Sequence, residues 1–233
     1  SVSRAALAAV YPTLRPHGPA SDPFALLLDV GATVQCTSDD LVTFAAMGAA
    51  YASKISRIDR PRVALLSNGT STSTAPPRIR DAHLRLQRAS ADFEYIGCLR
   101  ADHVTSGDAD VIVTDGFTGD VLLRTLEGVA ATGEALIQRA AERIQWRVGV
   151  KMLETGLTAV REFTDWENYG GAPLLGVNGA MFIAHGSSEA KTIKNAIRNC
   201  RNFVNSGVND AIRKRLDEVG NLGGVLANVG VDA

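Results

Sequence analysis

The run FALLLDV at residues 24–30 has the pattern of a buried β-strand that ends in a turn, marked by Asp29 and Gly31. Two further runs have the same outline: RVALLS at 62–67, followed by NGT, and DVIVTD at 110–115, followed by GFTGD. Helical patterns separate these runs, one opened by Thr37 and Asp40 at capping-box spacing and one over 78–88. Alternating strands and helices predict a three-layer α/β/α fold with a mainly parallel sheet.

The chain has 233 residues, which allows one large domain or two small ones. No linker divides it, so we expect a single domain with a helical protrusion at about 134–166. Hydrophobic residues make up 45% and charged residues 21%, as in a globular protein, and the net charge of -1 argues against a nucleic-acid partner. The absence of a secretory leader and of any CxxC pair predicts a cytoplasmic protein, and the scattered histidines predict no metal site.

The exits of the three strands are the first candidate site, because ligands of such sheets bind beyond the carboxyl ends of the strands. In NGT, Gly69 lets a ligand approach the backbone while Asn68 and Thr70 can bond to it, although a plain strand-to-helix turn is the alternative. In the segment 114–120, the helix start at Gly116, Thr118 and Gly119 could receive an anion. Asp115 would repel phosphate there, unless it holds the loop through backbone hydrogen bonds.

The segment 170–188 is the second candidate site. A strand-like MFIAH is followed by Gly186, Ser187 and Ser188, whose hydroxyls can cap the next helix while its N-terminus receives an anionic oxygen. Lys191 and Lys194 add positive charge, and His185 is either a packed side chain or a proton carrier. The spacing predicts that this helix packs through an apolar stripe of Ile193, Ile197, Cys200 and Val204.

A basic stripe is the third feature. Arg139, Arg143, Arg147 and Lys151 are spaced by four residues and would lie on one helix face, close to Trp146. Such a stripe is either a solvated surface or a docking surface for an acidic protein or an anionic lipid headgroup.

Several ordered segments together resemble the bacterial phosphate acyltransferase family PlsX. They are LLLDVGATVQC (26–36), FAAMGAAYA (44–52), LLSNGT (65–70), ADVIVTDGFTGDVLLRTLEG (109–128) and GGAPLLGVNG…AHGSSEAKTIKNAI (170–197). The resemblance implies a fold like isocitrate dehydrogenase and phosphotransacetylase. It also implies transfer of a fatty acyl group from acyl carrier protein to inorganic phosphate, giving acyl phosphate for phospholipid synthesis. It further implies no cofactor, a homodimer, and a cytoplasmic location with peripheral membrane contact.

Two departures from the family bear on activity. The family's amino-terminal third, with its own glycine-rich motif, has no counterpart here, and STSTAPP at 71–77 replaces acidic residues and a Lys-Gly pair. The resemblance leaves open a short-chain phosphotransacylase and a catalytically silent paralogue that binds carrier protein or membrane.

If the resemblance holds, the expected roles follow from the reaction. Phosphate would lie between 116–119 and 186–188, and Asn68, Thr70 or Asn178 would polarise the carbonyl or position the thioester arm. His185 or Lys191 would protonate or stabilise the departing thiolate.

Overall fold

The protein is built around a central β-sheet. Its structure is a computed structural model that describes residues 4–17, 22–89, 92–153, 155–156, 170–186 and 188–226. Within those residues the sheet has seven strands in the order β4-β3-β5-β2-β1-β6-β7. The strands are β1 (Ala6–His17), β2 (Asp22–Leu28), β3 (Arg62–Ser67), β4 (Glu94–Arg100), β5 (Val111–Val113), β6 (Ala172–Leu175) and β7 (Phe182–Ile183).

The sheet has a parallel half and an antiparallel half. Strands β2, β5, β3 and β4 are parallel, and Leu28, Val113 and Leu65 lie side by side near their carboxyl ends. Strand β1 is antiparallel to both β2 and β6, and β7 is antiparallel to β6. The carboxyl ends of β2, β3 and β5 therefore meet at one edge of the sheet, which we call the carboxyl edge.

Helices cover both faces, as the sequence predicts for a three-layer fold. They are α1 (Ser38–Lys54), α2 (Pro77–Arg88), α3 (Gly116–Ala141), α4 (Ile144–Met152), α5 (Ala190–Asn205) and α6 (Val208–Leu226). Because strand side chains alternate between faces, Leu28 and Val111 belong to the core beneath α1, whereas Leu27 and Ile112 belong to the core beneath α3. The α/β/α prediction is confirmed.

Helix α1 begins where the capping-box pattern predicts. Thr37 Oγ1 accepts a hydrogen bond from the Asp40 backbone N–H over 3.2 Å, and the Thr37 N–H donates to Asp40 Oδ2 over 2.8 Å. Two N–H groups at the helix start are thus satisfied by side chains, which fixes where α1 leaves the carboxyl edge.

The predicted packing face of α5 is wrong. Ile193, Ile197 and Val204 are 43%, 67% and 63% exposed, while the buried residues of this helix are Thr192, Asn195, Ala196 and Phe203. The ring of Phe203 packs edge-on against Phe182, with 5.8 Å between ring centroids. The first half of α5 is oriented by close contact between its backbone and the backbone at Gly170. A Cβ built on Gly170 would lie only 2.4 Å from the Asn195 carbonyl carbon.

The helical protrusion predicted at 134–166 lies only partly within the described residues. There, α3 ends at Ala141 and α4 spans Ile144–Met152, whereas residues 154 and 157–166 are outside the described part. A helix break at residues 142–143 therefore divides the segment that carries the basic stripe.

Candidate functional site

The buried carboxylate of Asp29 organises the carboxyl edge. It lies directly after β2, is fully shielded from solvent, and accepts five hydrogen bonds. The donors are the backbone N–H groups of Leu7, Gly31, Ala32 and Thr33 and the Thr33 hydroxyl, at 2.7–3.2 Å. Since these donors come from the protein's own loop and from β1, Asp29 is a structural centre that fixes the turn after β2.

The glycines at the start of α3 let the helix approach this turn. A Cβ at Gly119 would lie 1.9 Å from the Asp29 carbonyl oxygen, and one at Gly116 would lie 2.3 Å from the Thr33 carbonyl oxygen. The N–H groups there bond within the protein: Gly116 to Thr33 Oγ1, Thr118 to Asp115 Oδ1, and Gly119 to the Asp115 carbonyl. These three donors are therefore already used and do not face a phosphate.

Asp115 caps α3 and holds an arginine. Its side chain accepts from both the backbone N–H and the hydroxyl of Thr118, and its Oδ2 lies 2.9 Å from Arg78 Nη2. The Asp115 side chain is 8% exposed and the Arg78 side chain 41% exposed. The Asp115 carboxylate thus holds the loop through a backbone hydrogen bond, which is one of the two roles that the sequence allows. It also holds the guanidinium of Arg78, part of which is exposed to solvent.

The thiol of Cys36 lies within the same charged cluster. Burial raises its pKa to about 11, and the nearby Asp115 carboxylate adds to the increase, which Arg78 partly opposes. The neutral thiol is therefore the form present at physiological pH, which makes Cys36 a weak nucleophile.

The NGT turn lies at the same edge but is open to solvent. Asn68 and Thr70 are exposed and Gly69 is half-buried, and the Ser67 hydroxyl donates to Asn68 Oδ1 over 3.2 Å. The structure thus brings together Asn68, Gly69 and Thr70 with Asp115, Gly116, Thr118 and Gly119 at one edge, as expected for parallel strands.

The start of α5 is built differently from the start of α3. Its N-cap residue, Glu189, makes no side-chain capping bond, and the hydroxyls of Ser188 and Thr192 are buried without a hydrogen-bond partner among the described residues. His185, Gly186 and Lys191 are exposed, and no described atom beyond the chain neighbours lies within 4 Å of a Cβ built on Gly186. Ser187, also predicted for this site, lies outside the described residues.

Strand register separates the two predicted phosphate contacts. Leu175 of β6 pairs with Ala6, close to the carboxyl end of β2, whereas Ile183 of β7 pairs with Ala172 at the start of β6. Strand β7 therefore leads His185 and Gly186 away from the carboxyl edge. The described residues do not bring 116–119 and the start of α5 together.

Asn178 lies in the β6–β7 turn, apart from both helix starts. It is exposed, and its Oδ1 accepts a hydrogen bond from Arg213 Nη2 of α6 over 2.6 Å. This bond leaves the Asn178 amide nitrogen as the group that could donate to a ligand.

The basic stripe spans the junction between two helices. Arg139 is in the last turn of α3, Arg143 is the N-cap of α4, and Arg147 and Lys151 belong to α4. All four are exposed, and the neighbouring Trp146 is 57% exposed. The expectation of one continuous helix face is corrected, because the chain breaks at residues 142–143, but the charges remain on consecutive turns.

Other features lie outside the predicted site. Among the described residues, no group of three or more His, Cys, Asp or Glu side chains could hold a metal ion, and none of the helices combines the length and the hydropathy that a membrane span requires. An open cavity of about 950 Å³ lies between the end of α1 and the α5–α6 turn, lined by both basic and acidic residues such as Lys54, Asp59, Asp210 and Lys214. None of the predicted site residues lines it.

Asp29, Arg78 and Thr192 are the site residues that sequence reasoning missed. The position of Asp29 at the end of the apolar run of β2 was visible in the sequence. Its hydrogen bonds were not, because their donors lie in β1 and in the following loop, and no local sequence pattern relates these segments. Arg78 had no signal in the sequence, because its contact with Asp115 joins residues 37 positions apart.

Comparison with known proteins places these observations in a family. The chain matches the family described as "Fatty acid synthesis protein" over residues 1–211. A phosphate acyltransferase of a Nitratiruptor species is 38% identical over 220 residues, which are 94% of this chain and 64% of that protein. A phosphate acyltransferase of Myxococcus xanthus is 40% identical over 210 residues, which are 89% of this chain and 58% of that protein. The chain thus spans less than two thirds of the length of these relatives.

A solved structure supports the fold. The branched-chain phosphotransacylase from Enterococcus faecalis aligns with a TM-score of 0.53 at 15% sequence identity, covering 86% of this chain and 65% of that one. At this identity the likeness concerns the arrangement of strands and helices. The match over residues 1–211 and the identity to the two phosphate acyltransferases confirm the resemblance drawn from the sequence: the chain belongs to the fatty acid synthesis protein family.

Proposed function

We propose that this chain is part of an enzyme that transfers a fatty acyl group from acyl carrier protein to inorganic phosphate, giving acyl phosphate for phospholipid synthesis. The names of its relatives support acyl transfer to phosphate. The observation that carries the proposal is the start of α5, where buried hydroxyls and a helix end without a side-chain cap could bind an oxyanion.

Unpaired hydroxyls favour a phosphate at this place. A buried hydroxyl without a partner costs about 1–3 kcal/mol, so native proteins rarely keep one without a reason. Ser188 and Thr192 both have such hydroxyls, directly before the first turn of α5 and within it, where backbone N–H groups also lack intrahelical partners. A phosphate satisfies both sets of donors, and the exposed Lys191 adds a positive charge.

The start of α3 takes a supporting role in this proposal. Its donors at Gly116, Thr118 and Gly119 are used within the protein, so we place the attacking phosphate at the start of α5 and not at the start of α3. The glycines at 116–119 then hold the carboxyl edge in shape rather than cradle the substrate.

The reaction needs positioning more than activation. A phosphate oxygen attacks the thioester carbonyl carbon, the tetrahedral oxyanion collapses, the C–S bond breaks, and the thiolate takes a proton from His185 or Lys191. Holding the two reactants in line contributes up to about 7–11 kcal/mol in well-oriented cases. A single hydrogen-bond donor to the developing oxyanion contributes roughly 3–4 kcal/mol. Asn178 lies apart from the start of α5, so we do not assign it this role.

The basic stripe is the feature that favours a protein donor. Arg139, Arg143, Arg147 and Lys151, beside Trp146, present positive charge and an aromatic ring to solvent, which suits an acidic carrier protein or an anionic membrane surface. A short-chain phosphotransacylase that uses a small thioester has no need of this surface. We further propose a homodimer in the cytoplasm with peripheral membrane contact, in line with the family resemblance.

Replacement of Thr192 by valine tests the phosphate site. Valine has the same shape but lacks the unpaired hydroxyl, so Thr192→Val should raise the free energy of unfolding while weakening phosphate binding about tenfold. Gly186→Leu should block the site without disturbing the fold, since no described atom lies near its Cβ. Gly128→Leu, at an equally open position on α3, is the matched control.

The assay measures acyl phosphate release from acyl carrier protein, on this chain and on a form extended to the length of its relatives. Loss of turnover in Gly186→Leu and a raised KM for phosphate in Thr192→Val support the site, while unchanged kinetics in both reject it. Inactivity of both lengths of the unmodified protein favours the silent paralogue, for which the uncharged loop at 71–77 is the motivating feature.

A further inference from the structure

Arg78 is held at the carboxyl edge by a buried partner. Its Nη2 lies 2.9 Å from Asp115 Oδ2, and Asp115 is fixed in turn by hydrogen bonds from Thr118. The guanidinium has five N–H donors in a rigid fork. Within the described part of the chain its only hydrogen bond is the one to Asp115, and the side chain is 41% exposed. Donors on the solvent side of a fixed cation are therefore available to a ligand.

The loop before α2 is compatible with an anion that has several oxygens. This loop, residues 68–76, has no charged side chain, and its sequence carries consecutive hydroxyls at 70–74. Two of them already face each other, with Ser71 Oγ and Ser73 Oγ 2.9 Å apart. The small cleft between Arg78, Ile79 and Thr114 has room for about 10 Å³, which is space for one water and not for a substrate. A ligand would therefore bind on the outer, solvent-exposed side of the guanidinium.

Charge balance makes Arg78 decisive at this position. Asp115, Asp40 and Asp29 all act on the thiol of Cys36, and Arg78 is the cation that opposes them. Asp29 and Asp40 have their oxygens bound by loop and capping donors, Arg4 lies 3.7 Å from Asp40, and Arg78 and Asp115 compensate each other's charge. Removal of the guanidinium would leave the Asp115 carboxylate without its cation and would make this edge less favourable for a phosphate group.

We propose that Arg78 is the centre of a second phosphate-binding subsite, separate from the start of α5. Its ligand chemistry is a phosphate group presented by a flexible molecule or free in solution. The first source is the phosphate that joins the pantetheine arm to an acyl carrier protein, and this source rests on the proposed function. Free inorganic phosphate is the second source.

Binding measured by titration calorimetry tests the subsite without turnover. The probes are 4′-phosphopantetheine and, separately, inorganic phosphate, titrated into this chain. We expect Arg78→Gln to weaken binding of 4′-phosphopantetheine about 10- to 100-fold, because charge-assisted hydrogen bonds are lost, and Arg78→Lys to weaken it less. Arg80→Gln, which removes an exposed charge from the same helix, should leave the affinity unchanged.

Folding of the variants is controlled separately. Arg78→Gln leaves the Asp115 carboxylate without its cation, so the double variant Arg78→Gln/Asp115→Asn removes both charges and keeps a good N-cap for α3. It should unfold like the unmodified protein and still bind 4′-phosphopantetheine weakly. Wild-type affinity in this double variant would overturn the subsite.

The two probes identify the source. Weakening of 4′-phosphopantetheine alone assigns the subsite to the donor, and weakening of both probes assigns it to phosphate groups in general. If Arg78→Gln changes the affinity of neither probe, the inference is overturned, even if the protein forms acyl phosphate. Arg78-dependent binding in a protein that forms no acyl phosphate retains the subsite and rejects the proposed function instead.

Discussion

The backbone N–H of Gly116 donates a hydrogen bond to Thr33 Oγ1 over 3.1 Å, and the Thr33 hydroxyl donates to the buried carboxylate of Asp29 over 2.8 Å. This relay joins the start of α3 to the turn after β2. The glycines at 116 and 119, which the sequence pattern presents as an anion cradle, therefore serve close packing of a helix on a loop.

Gly119→Ala should destabilise the protein strongly. The new methyl group would lie 1.9 Å from the Asp29 carbonyl oxygen, a backbone atom that cannot move without breaking the turn. We expect a loss of about 3 kcal/mol or more in the free energy of unfolding, measured by denaturant titration. Gly128→Ala on the same helix, where no described atom beyond the chain neighbours and the helix's own backbone lies within 4 Å of the new Cβ, should instead stabilise by about 0.5–1 kcal/mol. Equal effects at the two positions would contradict the packing role.

Cys36 should make stability depend on alkaline pH. Burial raises its pKa in the folded protein to about 11, above the ordinary value of 9.0, so the unfolded chain loses the thiol proton first. The stabilising contribution is present in full below pH 9 and is lost as the pH rises towards 11. Denaturant titrations at a series of pH values should show a steeper decline between these limits in the unmodified protein than in Cys36→Ala. Parallel curves would show that Cys36 titrates normally.

Charge reversal in the basic stripe should weaken binding of an acidic partner. We expect Arg143→Glu/Arg147→Glu to lower affinity for acyl carrier protein or for anionic vesicles several-fold at low salt, and less at high salt, because exposed charges are screened. The double variant Arg80→Glu/Arg88→Glu on α2 changes the net charge equally and should have little effect. If the affinities for the carrier protein and for the vesicles both stay unchanged in the variant, the basic stripe is a solvated surface and not a docking surface.

Local patterns predicted the parts of the fold that local interactions decide. The capping box of Thr37 and Asp40 involves residues three apart, and the strand at 62–67 was found with its observed bounds because its apolar run is continuous. Strand β1 was not predicted, since Pro12 and Pro16 interrupt its pattern and its pairing partners, β2 and β6, come later in the chain.

The candidate site was predicted less well, because its properties depend on which donors remain unused. The sequence shows glycine at a helix start at both 116–119 and 186–188, but only tertiary contacts reveal that the donors of α3 are occupied. Thr192 gave no signal of its own, since its hydroxyl is unpaired only because α5 turns that side inward.

The antiparallel strands β1 and β6 stand between the two proposed phosphate subsites. From β5, beside Arg78 and Asp115, to β7, before α5, the sheet has four strand-to-strand steps, or roughly 19 Å at about 4.8 Å each. In the proposed reaction, a donor anchored by its phosphate at one end would have to reach across the sheet to deliver its thioester. The width of the sheet then favours donors on long, flexible tethers over compact ones.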